Sequence, residues 1–496
     1  MNKHFILLCI LLPIILLHCR SKFYQDYQIS PIGFKGYEAC DPETQAKCYV
    51  FKYSLLGKLK AIVYMGIKRP VENEEGWASA IVENKGDDIE IRYFDRYQLP
   101  VVQSDGHFLT RISSQNSDNL MISYLNKSLK RIAHNGCLYY RVKHSDDIIT
   151  EKSCIGPVNE PAIDNSGVHR TTWKTHSKEM TLEQASFGLQ GEPVVSRQTQ
   201  AHKIIWKYDH KGNQIEAAVY GREGQPIQND AKIHRYTIKY DNAGHAIEQA
   251  FYSLKDKPAY GPGRVHRYAW KNDFYGNVIE QSCFGINGKP TAGSSRAHRT
   301  IFRLNENGDV VEQLSFGING EPVLDADAVH QVIFEYDSKG NQTEESYFGR
   351  SRQSILNRDA VHHYIWKHNG VGKKVEQANF GRSGEPVLDR VNGVHRYKFK
   401  YDKNGNQTEK AYFGRDNEPV LGKDRRHRWE LKYNDEHLLT EEVAYDLKGK
   451  PTNGRYNNAI VRYIYTSDGE LYSKVRYNKN NRLVKEEVIK KRGAVK

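Results

Sequence analysis

Nine histidines recur at gaps of 32 or 33 residues: His169, His202, His234, His266, His298, His330, His362, His395 and His427. A glutamate follows each by fourteen residues, from Glu183 and Glu216 to Glu409 and Glu441. Imidazole and carboxylate are acid–base partners and good divalent-metal ligands, so the two columns invite a catalytic or metal reading. The regularity argues against it. A catalytic centre singles out one set of groups, whereas this pair returns in every unit. The columns are therefore expected to be polar spines of a repeat, with no catalytic residue, no metal site and no cofactor. A buried His–Glu row would still be sensitive to pH near neutrality.

Two further columns carry charge. One residue after the His stand Arg235, Arg267, Arg299, Arg396 and Arg428; five after it stand Lys239, Lys271, Arg303, Lys400 and Lys432. Stacking like units would line these up as two cationic stripes, which suit a linear polyanion such as an anionic polysaccharide. The competing reading is a solvated outer face that keeps a sheet soluble. Trp173, Trp206, Trp270 and Trp366 share one column and could stack against sugars, but Ile238 and Leu431 occupy the same column, which points to packing. Phosphate-binding Gly loops, Ser/His/Asp sets and CxxC pairs are absent from the sequence.

The elements that position these columns follow from the same ruler. Gly stands ten residues after most His, an aromatic eighteen after, and Pro twenty-four after. Between Val394 and Asp402, His395, Tyr397, Phe399 and Tyr401 alternate with Arg396, Lys398 and Lys400, the period of a half-buried β-strand. Asp402-Lys403-Asn404-Gly405-Asn406 suits a type I turn with a bulge glycine. With offsets summing to about eighteen, Glu409 is expected opposite Phe399, Ala411 opposite Tyr397 and Phe413 opposite His395, which puts His and Glu on the aromatic face. Gly414–Val420 makes a second turn and a short extended piece. The expected fold is all-β: an elongated tandem array of about fourteen 32-residue β-hairpin or meander repeats, solenoid-like or an open superhelical sheet.

The phrases Tyr336-Asp337-Ser338-Lys339-Gly340-Asn341 and Tyr401–Asn406 resemble the core of bacterial RHS/YD repeats. Phe316–Val323 resembles strings in uncharacterised bacterial repeat lipoproteins of spirochaete type. The likeness is strong over 137–477 and weak over 47–136. It implies β-hairpin architecture and transfers no activity, because the RHS unit is shorter and this chain lacks the long shell and C-terminal toxin of that family.

Phe5–Leu17 is an apolar run of thirteen residues broken by Pro13, short of the roughly 20 that a membrane span needs. It ends in Leu16-Leu17-His18-Cys19, which resembles the lipobox of bacterial lipoproteins, with His18 where that family has a small residue. The resemblance implies acylation at Cys19 after removal of a signal peptide. The expected organisation is signal peptide 1–18, tether or cap 19–46, degenerate repeats 47–136, regular repeats 137–490 and a basic tail 491–496. The degenerate units begin near Lys47, Gly76 and Phe108, and a further unit at Cys137.

Five cysteines remain in an oxidising compartment. Cys40 and Cys48, eight apart, are expected to pair. So are Cys137 and Cys154, which a tighter turn would place directly opposite each other, leaving Cys283 free. The whole chain has 73 bases against 60 acids, a charge of +13 that favours anionic surfaces.

The function expected is that of a lipid-anchored repeat protein of the bacterial cell envelope, on the outer membrane or cell surface, acting as a binding or scaffolding module. Its partners would be the membrane, through the lipid, and an anionic polysaccharide or a protein; specific nucleic-acid recognition is not expected. Rival readings are a structural spacer without ligand, an RHS-like shell component tied to a toxin or secretion system, and a hydrolase within 20–136.

Overall fold

The computed structural model describes residues 20–489 apart from 31–32, 55–56, 104–105, 146–147, 178–179, 456 and 467–470. The apolar run, Cys9, Cys19 and the basic tail 491–496 lie outside the described residues. The chain is all-β: 32 antiparallel strands belong to one open sheet, and the helical content described is two single turns at Leu254–Asp256 and Pro262–Arg264. Fourteen hairpins follow one another, from Cys48–Tyr53 with Leu59–Met65 to Ile460–Tyr465 with Leu471–Tyr477. Ahead of them Arg20–Ser30 pairs with both Gly33–Ala39 and Cys48–Tyr53. Leu483–Val488 adds a last strand.

The hairpin register differs from the expectation by one residue. Tyr401 pairs with Gln407, but a bulge between Lys400 and Tyr401 then shifts the ladder. Beyond it Lys400 faces Glu409, Lys398 faces Ala411 and Arg396 faces Phe413. A one-residue slip moves every side chain to the other face. The glutamate column and the aromatic at offset eighteen therefore share the charged face, while Tyr397 faces Tyr412 and Phe399 faces Lys410 on the other. The His395 amide still donates to the Phe413 carbonyl at 3.1 Å, but its ring does not pack on Phe413; it packs on Phe380 of the unit before, at 5.2 Å and 84°.

Each loop is closed by its own side chains. Asp402 Oδ1 accepts the amide hydrogens of Asn404 and Asn406, both at 2.9 Å, and Asn406 Nδ2 donates to Oδ2 at 2.8 Å. In the second loop Glu418 Oε2 accepts the Asp416 amide at 2.9 Å, and its carboxylate fills the space where a side chain at position 414 would stand. That is the physical content of the Phe-Gly-x-x-Gly-Glu-Pro phrase: the glycine leaves room for the glutamate that ties the loop. Pro419 then bridges back to Phe413, and Ser354 makes the same bridge to Phe348 where the proline is missing.

Units are stapled to each other through backbone groups. Tyr401 OH donates to the Lys374 carbonyl at 2.8 Å and Tyr433 OH to the Gln407 carbonyl at 2.9 Å, each reaching the preceding hairpin. The residue before each His forms a further column, buried throughout as Ala201, Val265, Val329, Val361 and Val394. Burying one such valine is worth about 1.5–3 kcal/mol. The densest core lies in the first units, around Phe34, Phe51, Ile62, Trp77, Ile91 and Ile112.

Two of the degenerate units begin later than the ruler suggests. The Ala78 and Leu138 amides donate to Phe94 and Ile155 as the His169 amide does to Phe187, so Ala78 and Leu138 hold the His position. Cys154 consequently faces Tyr140 in the ladder and not Cys137. The two cysteines are bridged nonetheless, with Cα atoms 5.3 Å apart.

The ribbon of hairpins winds on itself. Loops that follow the second strand of an early hairpin meet turns eight to ten hairpins later. Lys68 pairs with Glu306 at 2.7 Å, Arg96 Nη2 donates to Asn341 Oδ1 at 2.9 Å, and Ser128 Oγ donates to Glu436 at 2.8 Å. The sheet stays open; among the described residues, side chains and one backbone hydrogen bond, from the Ala46 amide to the Tyr275 carbonyl at 2.6 Å, join one turn to the next, without strand pairing.

Candidate functional site: the charged face and the seam between turns

On the charged face the carboxylate column sits between the two cationic columns. Glu216 accepts Lys207 at 2.8 Å and Arg235 at 3.2 Å; Glu248 accepts Lys239 at 2.8 Å and Arg267 at 2.9 Å. Glu280 does the same with Lys271 and Arg299, and Glu409 with Lys400 at 3.0 Å and Arg428 at 3.1 Å. Lys432 and Arg462 share Glu441, Arg303 pairs with Glu312, and Arg396 stands 3.9 Å from Glu376. All ten cations singled out by the sequence thus have a carboxylate partner. Glu216, Glu248, Glu280, Glu409 and Glu441 each join the lysine of their own hairpin to the arginine of the next, so the ladder also crosses the boundary between units.

Electrostatics follow from that geometry. Burial pushes the Glu248 carboxyl up, but hydrogen bonds and charge from Lys239 and Arg267 outweigh it and hold it below the ordinary range. Where the columns are complete, two cations meet one carboxylate, and the face keeps about one positive charge per unit. The arginines lie flat under the surface: Arg235 covers the Tyr252 ring at 4.2 Å and Arg267 the Phe284 ring at 3.7 Å. The lysines stand out, Lys239 and Lys271 being 68% exposed against 18% for Arg235. Solvent therefore meets a row of ammonium groups.

The histidine column holds units together. His202 Nδ1 is hydrogen-bonded to the Ser186 carbonyl at 2.8 Å and its ring meets Phe187 edge-on at 5.4 Å. His330 repeats both contacts with Ser315 and Phe316, and His395 with Asn379 and Phe380. Among the described residues no group of three or more His, Cys, Asp or Glu could hold a metal ion. Trp173, Trp270 and Trp366 donate to Gln184, Gln281 and Gln377, each at 3.1 Å. Cys40–Cys48 and Cys137–Cys154 are disulfides, and Cys283 is a buried thiol.

The seam is built from residues outside every column. Arg69 is 2.7 Å from Asp309, Arg96 also pairs with Glu72 at 3.4 Å, and the Tyr97 hydroxyl donates to Asn341. Arg69 stands before Pro70, where regular units have the glutamate of the loop phrase, and Arg96 and Tyr97 fall at its variable positions, held by Arg415 and Asp416 in a regular unit. The signal in the sequence was the loss of the Gly-Glu pair around them, with Asp95 and Leu99 where Gly414 and Glu418 stand.

No family model matches the chain, and no curated protein matches it. Among solved structures, one described as a crystal structure of TcdB2-TccC3-TEV shares 10% identity over 92% of this chain and 23% of that chain, at a TM-score of 0.28. The Photorhabdus luminescens Tc holotoxin pore with the TccC3-D651A mutation shares 10% identity over 89% of this chain and 25% of that one, at 0.24. The chain spans about a quarter of the length of these structures, and at such scores the likeness carries no functional information.

Proposed function

We propose that this protein is a structural scaffold of the bacterial cell envelope, exported and tethered by acyl chains on Cys19, and that it performs no catalysis. The observation that carries this reading is the seam. A single ribbon of hairpins bends easily across its strands, whereas turns joined by Arg69–Asp309 and Arg96–Asn341 resist unwinding and form a wall. The repetitive ion-pair ladder serves the same end. Metabolic palmitate labelling and membrane fractionation test the tether. Wild type should label and sediment with membranes, and Cys19→Ala should do neither; equal labelling of the two overturns it.

The exposed lysine row favours a second role for the same wall, weak contact with an anionic polysaccharide. Each lysine shares its charge with a glutamate, so one unit contributes on the order of 0–1 kcal/mol and binding accumulates across units. Heparin titration at low and physiological salt measures it. Neutralising Lys207, Lys239, Lys271 and Arg303 together should abolish binding, and any one alone should weaken it slightly. Salt-independent binding, or loss through one unit, contradicts this role.

A further inference from the structure

Beside the N-terminal hairpin lies a cavity of about 590 Å³, bounded by its Asp26–Ile29 segment and the Asn73–Glu75 loop. Its walls are aromatic. Tyr27 meets Tyr49 at 4.9 Å and 70°, Tyr49 meets Tyr64 at 4.5 Å, and Tyr93 and Phe34 complete the lining. Trp77, fully buried, supports Tyr27 and Tyr93 from behind at 5.5 and 5.7 Å. Burial pushes the Tyr49 hydroxyl up to about 12 and Tyr27 higher still, and the nearby carboxylates add to both shifts. The rings stay neutral, and each presents an electron-rich face.

The rim is acidic. Asp26, Glu74 and Glu75 all line the cavity. Glu75 is oriented by the Trp77 indole, which donates to it at 2.8 Å. None of the three has a cation within ion-pair distance among the described residues. The contrast with the rest of the molecule is sharp: the chain carries +13, and the glutamates at offset fourteen that face cations are each paired with one or two. Three carboxylates gathered without a counter-ion around an aromatic box make a site complementary to a positive, weakly hydrated group. Among the described residues no three His, Cys, Asp or Glu side chains converge closely enough to cage a metal ion, whereas four tyrosine rings and Phe34 line the cavity.

We propose that this cavity binds an organic ammonium head group, held over the Tyr27, Tyr49 and Tyr64 rings and neutralised by Asp26, Glu74 and Glu75. The same head group occurs on free small molecules and on zwitterionic lipids, and the hairpin follows directly on Cys19. Both sources share one chemistry, and the test separates them.

Calorimetric titration of the mature chain, disulfides intact, with choline chloride is the first arm, with potassium chloride at equal ionic strength as reference. Sedimentation with phosphatidylcholine or phosphatidylglycerol vesicles, using the Cys19→Ala chain, is the second. Choline binding saturates and potassium does not. Phosphatidylcholine pull-down identifies a lipid source, and its absence with choline binding retained identifies a free ligand. Tyr27→Leu should weaken choline by about tenfold or more. Glu74→Gln, an exposed change without consequence for folding, should weaken it several-fold. Choline heats equal to those of potassium, or unchanged affinity in Glu74→Gln and Tyr27→Leu alike, overturns the proposal.

Discussion

Arg69 Nη2 stands 2.7 Å from Oδ1 and 2.8 Å from Oδ2 of Asp309, a residue 240 positions further along the chain. Asp309 also accepts Asn305 Nδ2 at 3.1 Å, so one carboxylate closes its own turn and anchors the previous turn of the ribbon. Both side chains are 19% exposed. Arg69→Ala should cost about 1–3 kcal/mol, the usual consequence of leaving a part-buried charged partner unmatched. In an Asp309→Asn background the same change should cost clearly less. Urea unfolding of the four chains of this cycle measures the coupling, and additive costs would mean that the contact contributes nothing.

The loop phrase makes a second, sharper cycle. Gly414→Ala places a methyl group where the Glu418 carboxylate lies, and displacing that carboxylate frees the Asp416 amide. A loss of about 1–3 kcal/mol is expected. With Glu418→Ala already present, Gly414→Ala should be close to neutral. Equal cost in both backgrounds would place the strain elsewhere.

The histidines give the protein an acid limit above that of its carboxylates. His395 is buried, and loss of water holds its imidazole below the ordinary value, against the hydrogen bond from Nδ1 to the Asn379 carbonyl. Burial lowers His368 and His437 too. The unfolded chain then binds protons that the folded chain does not, so stability is complete above about pH 6.5 and falls as pH drops toward the folded values. Glu248 and Glu441, held low by their cations, begin to lose stability only below their unfolded values, near pH 4.3. Urea midpoints should therefore fall between about pH 7 and pH 5.5. His395→Gln should start less stable and fall less over that interval; an identical fall would exclude His395.

Cys283 is buried against the packed sheet, and burial pushes its thiol up to about 11. Thiolate is the reactive form, so iodoacetamide should leave Cys283 unmodified in the native protein near neutral pH and alkylate it after denaturation. Peptide mapping decides this. Rapid native alkylation would show that the sheet opens around Phe284.

The sequence made the repeat legible because His, Gly, aromatic and Pro each answer a local demand of the hairpin, and the fourteen hairpins follow that ruler except that two degenerate units begin late, at Ala78 and Leu138. The register was not legible to within one residue, since the bulge at Lys400–Tyr401 is a backbone event that side-chain alternation does not report. That one residue decided the charged face: it moved Glu409 from beside Phe399 to beside Lys400, and turned a free cationic stripe into a ladder of ion pairs. The seam was hidden for another reason. Arg69, Arg96 and Tyr97 act between turns, so they obey no period, and they read as decay of the repeat.

The winding of the ribbon is the central claim, and the distance between positions 68 and 306 tests it most directly. Fifteen strands of the sheet separate the two loops, which along an unrolled ribbon with the usual inter-strand spacing is about 70 Å. In the folded protein Lys68 and Glu306 are joined at 2.7 Å. Spin labels on Lys68→Cys and Glu306→Cys, in a chain with Cys283→Ala and Cys19→Ala, can be measured by pulsed dipolar spectroscopy. A single narrow distance peak far below that length is predicted, broadening when Arg69→Ala and Arg96→Ala are added. A distribution centred near the unrolled length would contradict the wall.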